Sequence, residues 1–159
     1  MLDIFNRLQP FFEDSYLESG VREYSRLVNI SPPCASDWLK RFEKEGILAS
    51  RLERNHLLFR TNRNSLALKH ISLAYWSVKL MKLVEHLSNK LNEPDIWLFG
   101  SLTKLETRKE SDIDIFVNCT EQDIDVEDFE KLFNRKIEIH FKESYSALEA
   151  NIQKGLKLN

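Results

Sequence analysis

The chain has 159 residues, 42% hydrophobic and 30% charged, a balance that excludes a disordered tail or a fibrous repeat and predicts a folded globular protein. Its net charge of -2 is unevenly spread: residues 1–91 hold 14 Lys/Arg and 10 Asp/Glu, a balance of +4, whereas residues 92–159 hold 9 and 15, a balance of -6. A mildly basic half suits a polyanion and an acidic half suits hard cations, although chance alone also produces such a split. One domain of this length buries about 68–70% of its unfolded surface, and two half-sized domains about 60% each. No run of about 18 residues lacks charge: the most apolar stretch, Ile71 to Leu91, contains Lys79, Lys82, Glu85, His86 and Lys90. Met1 is not followed by a basic-then-apolar leader, so the expectation is a cytoplasmic protein with no membrane partner. Cys34 and Cys119 form no Cys/His cluster, which fits a reducing compartment.

In chain order, Leu2, Ile4, Phe5, Leu8, Phe11 and Phe12 recur at helical spacing. After a break at Ser19-Gly20, Val21, Tyr24, Leu27 and Val28 do the same. Asn29-Ile30-Ser31 reads as a turn, with Ser31 the N-cap of a third helix and Pro32-Pro33 its first residues, where a missing amide hydrogen costs nothing. That helix is predicted to turn Ala35, Leu39 and Phe42 inward and to stop at Gly46. Leu48 to Leu52 and Leu57 to Thr61 then read as two strands around the polar tip Glu53-Arg54-Asn55-His56.

This order of helices and hairpin resembles the winged helix-turn-helix domains of prokaryotic regulators over residues 1–62. The resemblance implies DNA as a partner, with the third helix in the major groove. Cys34, Ser36, Asp37, Lys40 and Arg41 then face bases or phosphates, and Arg51, Arg54 and Arg60 hold the flanking phosphates. Asp37 is a departure, since a carboxylate accepts from a cytosine amino group but repels phosphates. Trp38 reads as packing on the scaffold rather than contacting a base.

Leu66 to Leu91 reads as one long connecting helix within residues 63–91. Leu73, Trp76, Leu80, Leu83, Val84, Leu87 and Leu91 form one apolar stripe, and Ile71, Ala74, Tyr75, Val78 and Met81 widen it. Two explanations stand open: other parts of the chain cover the stripe, or Leu73, Leu80 and Leu87, seven apart, form the seam of a homodimer. His70 and His86 read as surface or packing histidines.

Residues 92–159 carry the chemistry. Asp95 to Phe99 and Ile113 to Val117 are short apolar runs of strand type, and Gly100-Ser101 ends the first. Alternation predicts Asp112 and Asp114 on one strand face with Ile113 and Ile115 in the core. Two carboxylates so close call for a hard divalent cation with phosphate as co-ligand. Gly100 allows close approach, Ser101 offers a hydroxyl, and a short helix starting near Leu102 is expected to offer free amides.

Gly100-Ser101, ten intervening residues and Asp112-Ile113-Asp114 resemble the signature of the minimal nucleotidyltransferases of the DNA polymerase beta superfamily. The resemblance implies an α+β fold in which a small mixed sheet is flanked by helices. It also implies Mg2+ or Mn2+ as cofactor and a nucleoside triphosphate, ATP, as substrate. Gly100 and Ser101 bind the nucleotide, and Asp112, Asp114 and a third carboxylate, Glu138, serve as metal-binding and catalytic residues. Glutamate at 138 replaces the commoner aspartate, and Leu105 stands where glycine is usual. In Lys136 to Phe141, alternation turns Glu138 and His140 the same way, which makes His140 a neighbour or a substitute base. The small size resembles the antitoxins that adenylylate a partner HEPN-type ribonuclease toxin. An alternative is a DNA-binding regulator whose second domain binds a nucleotide or partner without turnover. Asp123-Ile124-Asp125 has no Gly-Ser ahead of it, and Asp125 reads as the N-cap of a helix bearing Val126, Phe129, Leu132 and Phe133.

Overall fold

The computed structural model describes residues 2–159, which form an α+β protein of six α-helices and two sheets. The chain divides into two compact units, residues 1–72 with 105–109, and residues 73–104 with 110–159.

The first unit opens with α1 (Asp3–Glu13), whose Phe5, Leu8, Phe11 and Phe12 are buried as their spacing predicts. β1 (Glu18–Gly20) follows where the sequence suggested only a break. It pairs antiparallel with β3, placing Glu18 opposite Arg60. Three residues give too short a pattern for periodicity to register, and the strand exists because β3 offers it a partner. α2 (Val21–Leu27) and α3 (Pro32–Lys44) come next. Ser31 caps α3 by accepting from the Cys34 amide at 3.4 Å, with the two prolines in its first turn. At the other end Ile47 N–H donates to Phe42 O and Gly46 N–H to Glu43 O, each at 2.9 Å. Gly46 takes φ +72° there, so the predicted stop is a Schellman motif.

β2 (Leu48–Glu53) and β3 (His56–Thr61) form a hairpin whose register leaves only Arg54 and Asn55 in the loop. Both have positive φ, 46° and 64°, the pattern of the two-residue turn that matches strand twist. The sheet order is β1-β3-β2. Tyr24 Oη donates to Arg7 O at 2.8 Å from within the core. Trp38 packs on Phe42, with ring centroids 5.3 Å apart, and carries Arg7 and Arg41 over its ring, in keeping with a scaffold role. Segment 105–109 is fastened within this unit. The Ser15 amide and hydroxyl both donate to Thr107 O, at 2.8 and 2.9 Å, and Tyr16 lies between Arg63 and Arg108.

α4 (Leu66–Lys90) is one continuous helix in which the units divide, after Ser72. In the second unit its Trp76, Leu80, Leu83 and Leu87 are fully buried, so the heptad residues Leu80 and Leu87 are covered within the chain itself. The large apolar residues that this helix leaves exposed are Leu66, Val78 and Met81. Among the described residues, no helix is long and apolar enough to cross a membrane.

The second unit holds β4 (Ile96–Phe99), a 3-10 turn (Gly100–Thr103), β5 (Ile113–Val117), α5 (Glu127–Phe133), β6 (Ile137–His140), a second 3-10 turn (Lys142–Ser144), α6 (Tyr145–Ile152) and β7 (Leu156–Lys157). The sheet is mixed, ordered β6-β5-β4-β7, with β5 and β6 parallel and β4 antiparallel to both of its neighbours. Ile96, Leu98, Ile113, Ile115 and Val117 are all buried, and alternation assigns them to one face of the sheet. On the other face Phe99, Phe116 and Ile152 of α6 form a cluster, joined by Trp97 and Leu148.

Three local expectations change. α5 begins one residue later than Asp125 predicts, with Val126 as N-cap, although Asp125 still accepts from the Glu127 amide at 3.0 Å. The helix expected from Leu102 is only the 3-10 turn, closed by Lys104 N–H to Ser101 O. β7 was not expected at all, since two residues carry no periodicity and only their pairing with Trp97 and Leu98 makes them a strand.

Candidate active site

The carboxylate cluster arises from strand register. Phe99 of β4 stands opposite Asp114 of β5, Asp114 opposite Glu138 of β6, and Phe116 opposite His140. The pleat therefore brings Asp114, Glu138 and His140 to one face, at the point where β4 enters the Gly100 turn. Their ligand atoms lie within 4.8 Å of one another, and all three residues are half-buried.

Gly100 adopts φ +77°. A Cβ built on it would lie 1.9 Å from Asp114 Oδ2 and 2.9 Å from Asp114 Cγ. Only a residue without a side chain lets the turn abut this carboxylate. The turn is braced by Thr103 Oγ1, which donates to Gly100 O at 3.0 Å, and by Lys104 Nζ, which donates to Asn151 Oδ1 at 3.3 Å. Ser101 is half-buried in the same turn.

Charge is the dominant physical fact of the site. Burial, and then the neighbouring charge of Glu138, push the Asp114 carboxyl above its ordinary range; Asp112 adds to this, and His140 and Lys104 oppose it. Glu138 moves the other way: a hydrogen bond from Lys136 Nζ to its Oε1, at 2.8 Å, holds it below the usual carboxylate range. Lys136 is raised by the same bond. Its position two residues before Glu138 was a readable signal for this pairing, since i and i+2 share a strand face.

Of the residues singled out by sequence, Asp114 and Glu138 belong to the close group, Gly100 abuts Asp114, and Ser101 stands in the same turn as Gly100. Asp112 directly precedes β5, which begins at Ile113, and is not among the three groups within 4.8 Å of one another. It is still near enough for its charge to raise Asp114 and Lys136. His140 is the residue that completes the group. Leu105 is buried and takes φ +56°, so it adopts without glycine the backbone region that glycine enters most easily.

The residues expected to meet DNA fall into two sets. Lys40 and Arg54 are exposed, and Ser36 is half-buried on α3. Arg41, Arg51 and Arg60 face carboxylates instead. Arg41 pairs with Glu45 at 3.1 Å, Arg51 Nε donates to Glu18 at 2.8 Å and its Nη2 reaches Glu53 at 2.7 Å, and Arg60 lies 3.9 Å from Glu18. Sequence reasoning missed Glu18 because it missed β1, the strand that carries it.

The donor set fits a divalent cation. Two half-buried carboxylates, one of them raised by the charge of the other, with an imidazole in the same group, form an arrangement that a cation relieves. Asp114, Glu138 and His140 are the residues positioned to hold it, with Asp112 beside them. Such an ion neutralises phosphate charge when bound.

Residues 81–157, just under half of the chain, match the family described as Polymerase beta, Nucleotidyltransferase. The match spans β4 to β7 and every member of the cluster, and it supports assigning this stretch to the nucleotidyltransferase superfamily. No curated protein matches the chain.

Proposed function

We propose that the protein is a metal-dependent nucleotidyltransferase that moves a nucleoside monophosphate from a nucleoside triphosphate, ATP, to a hydroxyl on a partner protein. The observation that carries this reading is the packing of the Gly100 backbone against Asp114, which puts the phosphate-binding turn and the acidic cluster at one point. Gly100 and Ser101 hold the triphosphate, and Asp112, Asp114 and Glu138 hold Mg2+ or Mn2+. Lys136 keeps Glu138 ionised, which suits a ligand better than a proton acceptor. The acceptor hydroxyl gives its proton to a carboxylate of the site as its oxygen attacks the α-phosphorus; a new P–O bond forms, and the bond to the bridging oxygen breaks as pyrophosphate leaves.

By its resemblance to adenylylating antitoxins, the partner is a HEPN-type ribonuclease toxin in the cytoplasm. The three helices and hairpin of the first unit act as a winged helix on DNA, through Ser36, Lys40 and Arg41 of α3 and Arg51, Arg54 and Arg60 of the hairpin. Self-association through α4 would use Val78 and Met81, the large apolar residues it leaves exposed in the second unit. A regulator that binds nucleotide without turnover is the second reading, favoured by the position of Asp112 outside the close group.

Incubation with labelled ATP, magnesium and candidate partners tests the proposal. Label must appear on a partner, require the metal, and vanish in Asp112→Ala and Asp114→Ala. Absence of metal-dependent label on any partner supports the regulator instead. A DNA shift assay across salt concentrations tests the first unit, since binding through phosphates weakens as salt rises.

A further inference from the structure

We propose that His140 is a direct metal ligand and that it makes this site favour Mn2+ over Mg2+. The inference rests on the reading of the acidic cluster as a metal site. It goes beyond that reading by naming a nitrogen donor and the ion that the donor selects.

The imidazole is one of the three groups whose ligand atoms lie within 4.8 Å of one another. The Phe99 ring meets it edge to face, at 5.4 Å between centroids and 61° between planes. Strand register sets its height, one pleat along the same face from the Asp114 and Glu138 pair. The facing carboxylate is oriented. Lys136 occupies Glu138 Oε1, and the other oxygen, Oε2, is turned toward His140 Nε2 at 4.0 Å. That separation is too long for a hydrogen bond, so the two groups converge on a common point without satisfying each other.

The chemistry of the donors then discriminates between ions. Mg2+ takes oxygen ligands and gains little from imidazole, whereas imidazole suits transition ions. Beside the carboxylates of the site, an imidazole adds a nitrogen donor and no negative charge. It therefore adds little for Mg2+, which binds through charge and oxygen. A histidine that merely packs on Phe99 has neither effect.

The test uses the full chain stripped of metal. Binding of Mn2+ is followed by loss of the free-ion electron paramagnetic resonance signal, and Mg2+ by calorimetry. The expected result is tighter binding of Mn2+, with nitrogen modulation in the spin-echo spectrum of the bound ion. In His140→Gln that modulation disappears and Mn2+ affinity falls by about tenfold or more, while Mg2+ affinity is unchanged. His140→Asp, which restores an oxygen donor, shifts preference back toward Mg2+ and serves if the glutamine variant folds poorly. Mn2+ affinity unaltered in both variants, or equal losses for both ions, overturns the inference and leaves the metal site standing. If Asp114→Asn fails to weaken either ion, the metal-site reading itself falls.

Discussion

Asp114 shows how function opposes stability at a single residue. Its carboxyl is raised by burial and by Glu138, so the folded chain holds this proton more tightly than the unfolded chain does. Without metal, the contribution of this one group to stability is therefore greatest below the ordinary aspartate value of 3.8 and is lost as pH rises through the folded value. Asp114→Asn removes that decline. Denaturant melts in chelator should show the variant gaining stability over wild type as pH rises toward neutrality, even though it no longer binds metal. Leu105 poses the opposite balance. Replacing it with glycine relieves a left-handed backbone worth about 1–2 kcal/mol, but a large-to-small change at a buried leucine costs about 2–5 kcal/mol. The loss wins, and Leu105→Gly is expected to destabilise the protein by about 1–3 kcal/mol in the same melts. Gly100, Asp114 and Glu138 were legible because their chemistry depends on residue type. His140 was visible only as a neighbour of Glu138, because strand alternation gives a face but not a distance.

At the scale of elements, caps and turns carry their signals locally. Ser31, the two prolines and Gly46 define α3 at both ends, and the structure places each as expected. The cap bond is long at 3.4 Å, so Ser31→Ala should cost toward the lower end of the usual range, about 0.5–1 kcal/mol, read as a shift in denaturation midpoint. β1 is the contrasting case. A three-residue strand has no pattern of its own, yet it delivers Glu18 to Arg51 and Arg60. Glu18 lies below the usual carboxylate range because of its hydrogen bond from Arg51, and its charge offsets the two arginines. Glu18→Gln releases Arg60 and leaves Arg51 paired with Glu53 alone. If the hairpin meets DNA, the variant binds more tightly, and its log affinity falls more steeply with log salt, by about 0.9 for each further phosphate that the arginines neutralise. An unchanged slope would show that the hairpin arginines touch no phosphate.

For the molecule as a whole, the division of charge at residue 91 does not coincide with the boundary of the two compact units, which falls after Ser72 with 105–109 joining the first. Any ligand that binds only the folded state adds to stability. A divalent ion at about one hundred times its dissociation constant should raise the unfolding free energy by about 2.7 kcal/mol. That gain should reverse with chelator and be absent in Asp114→Asn; stabilisation that survives the substitution would place the ion elsewhere. The sequence by itself determined the first five helices, the hairpin and the runs that become β4, β5 and β6, because propensity, capping and alternation act over a few residues. Tertiary structure alone decided which strands are neighbours, and hence that Glu138 and His140 meet Asp114, that Asp112 stands aside, and that Glu18 restrains the hairpin arginines. Pairing between distant segments is settled by register and burial across the whole sheet, and no short stretch of chain carries that information.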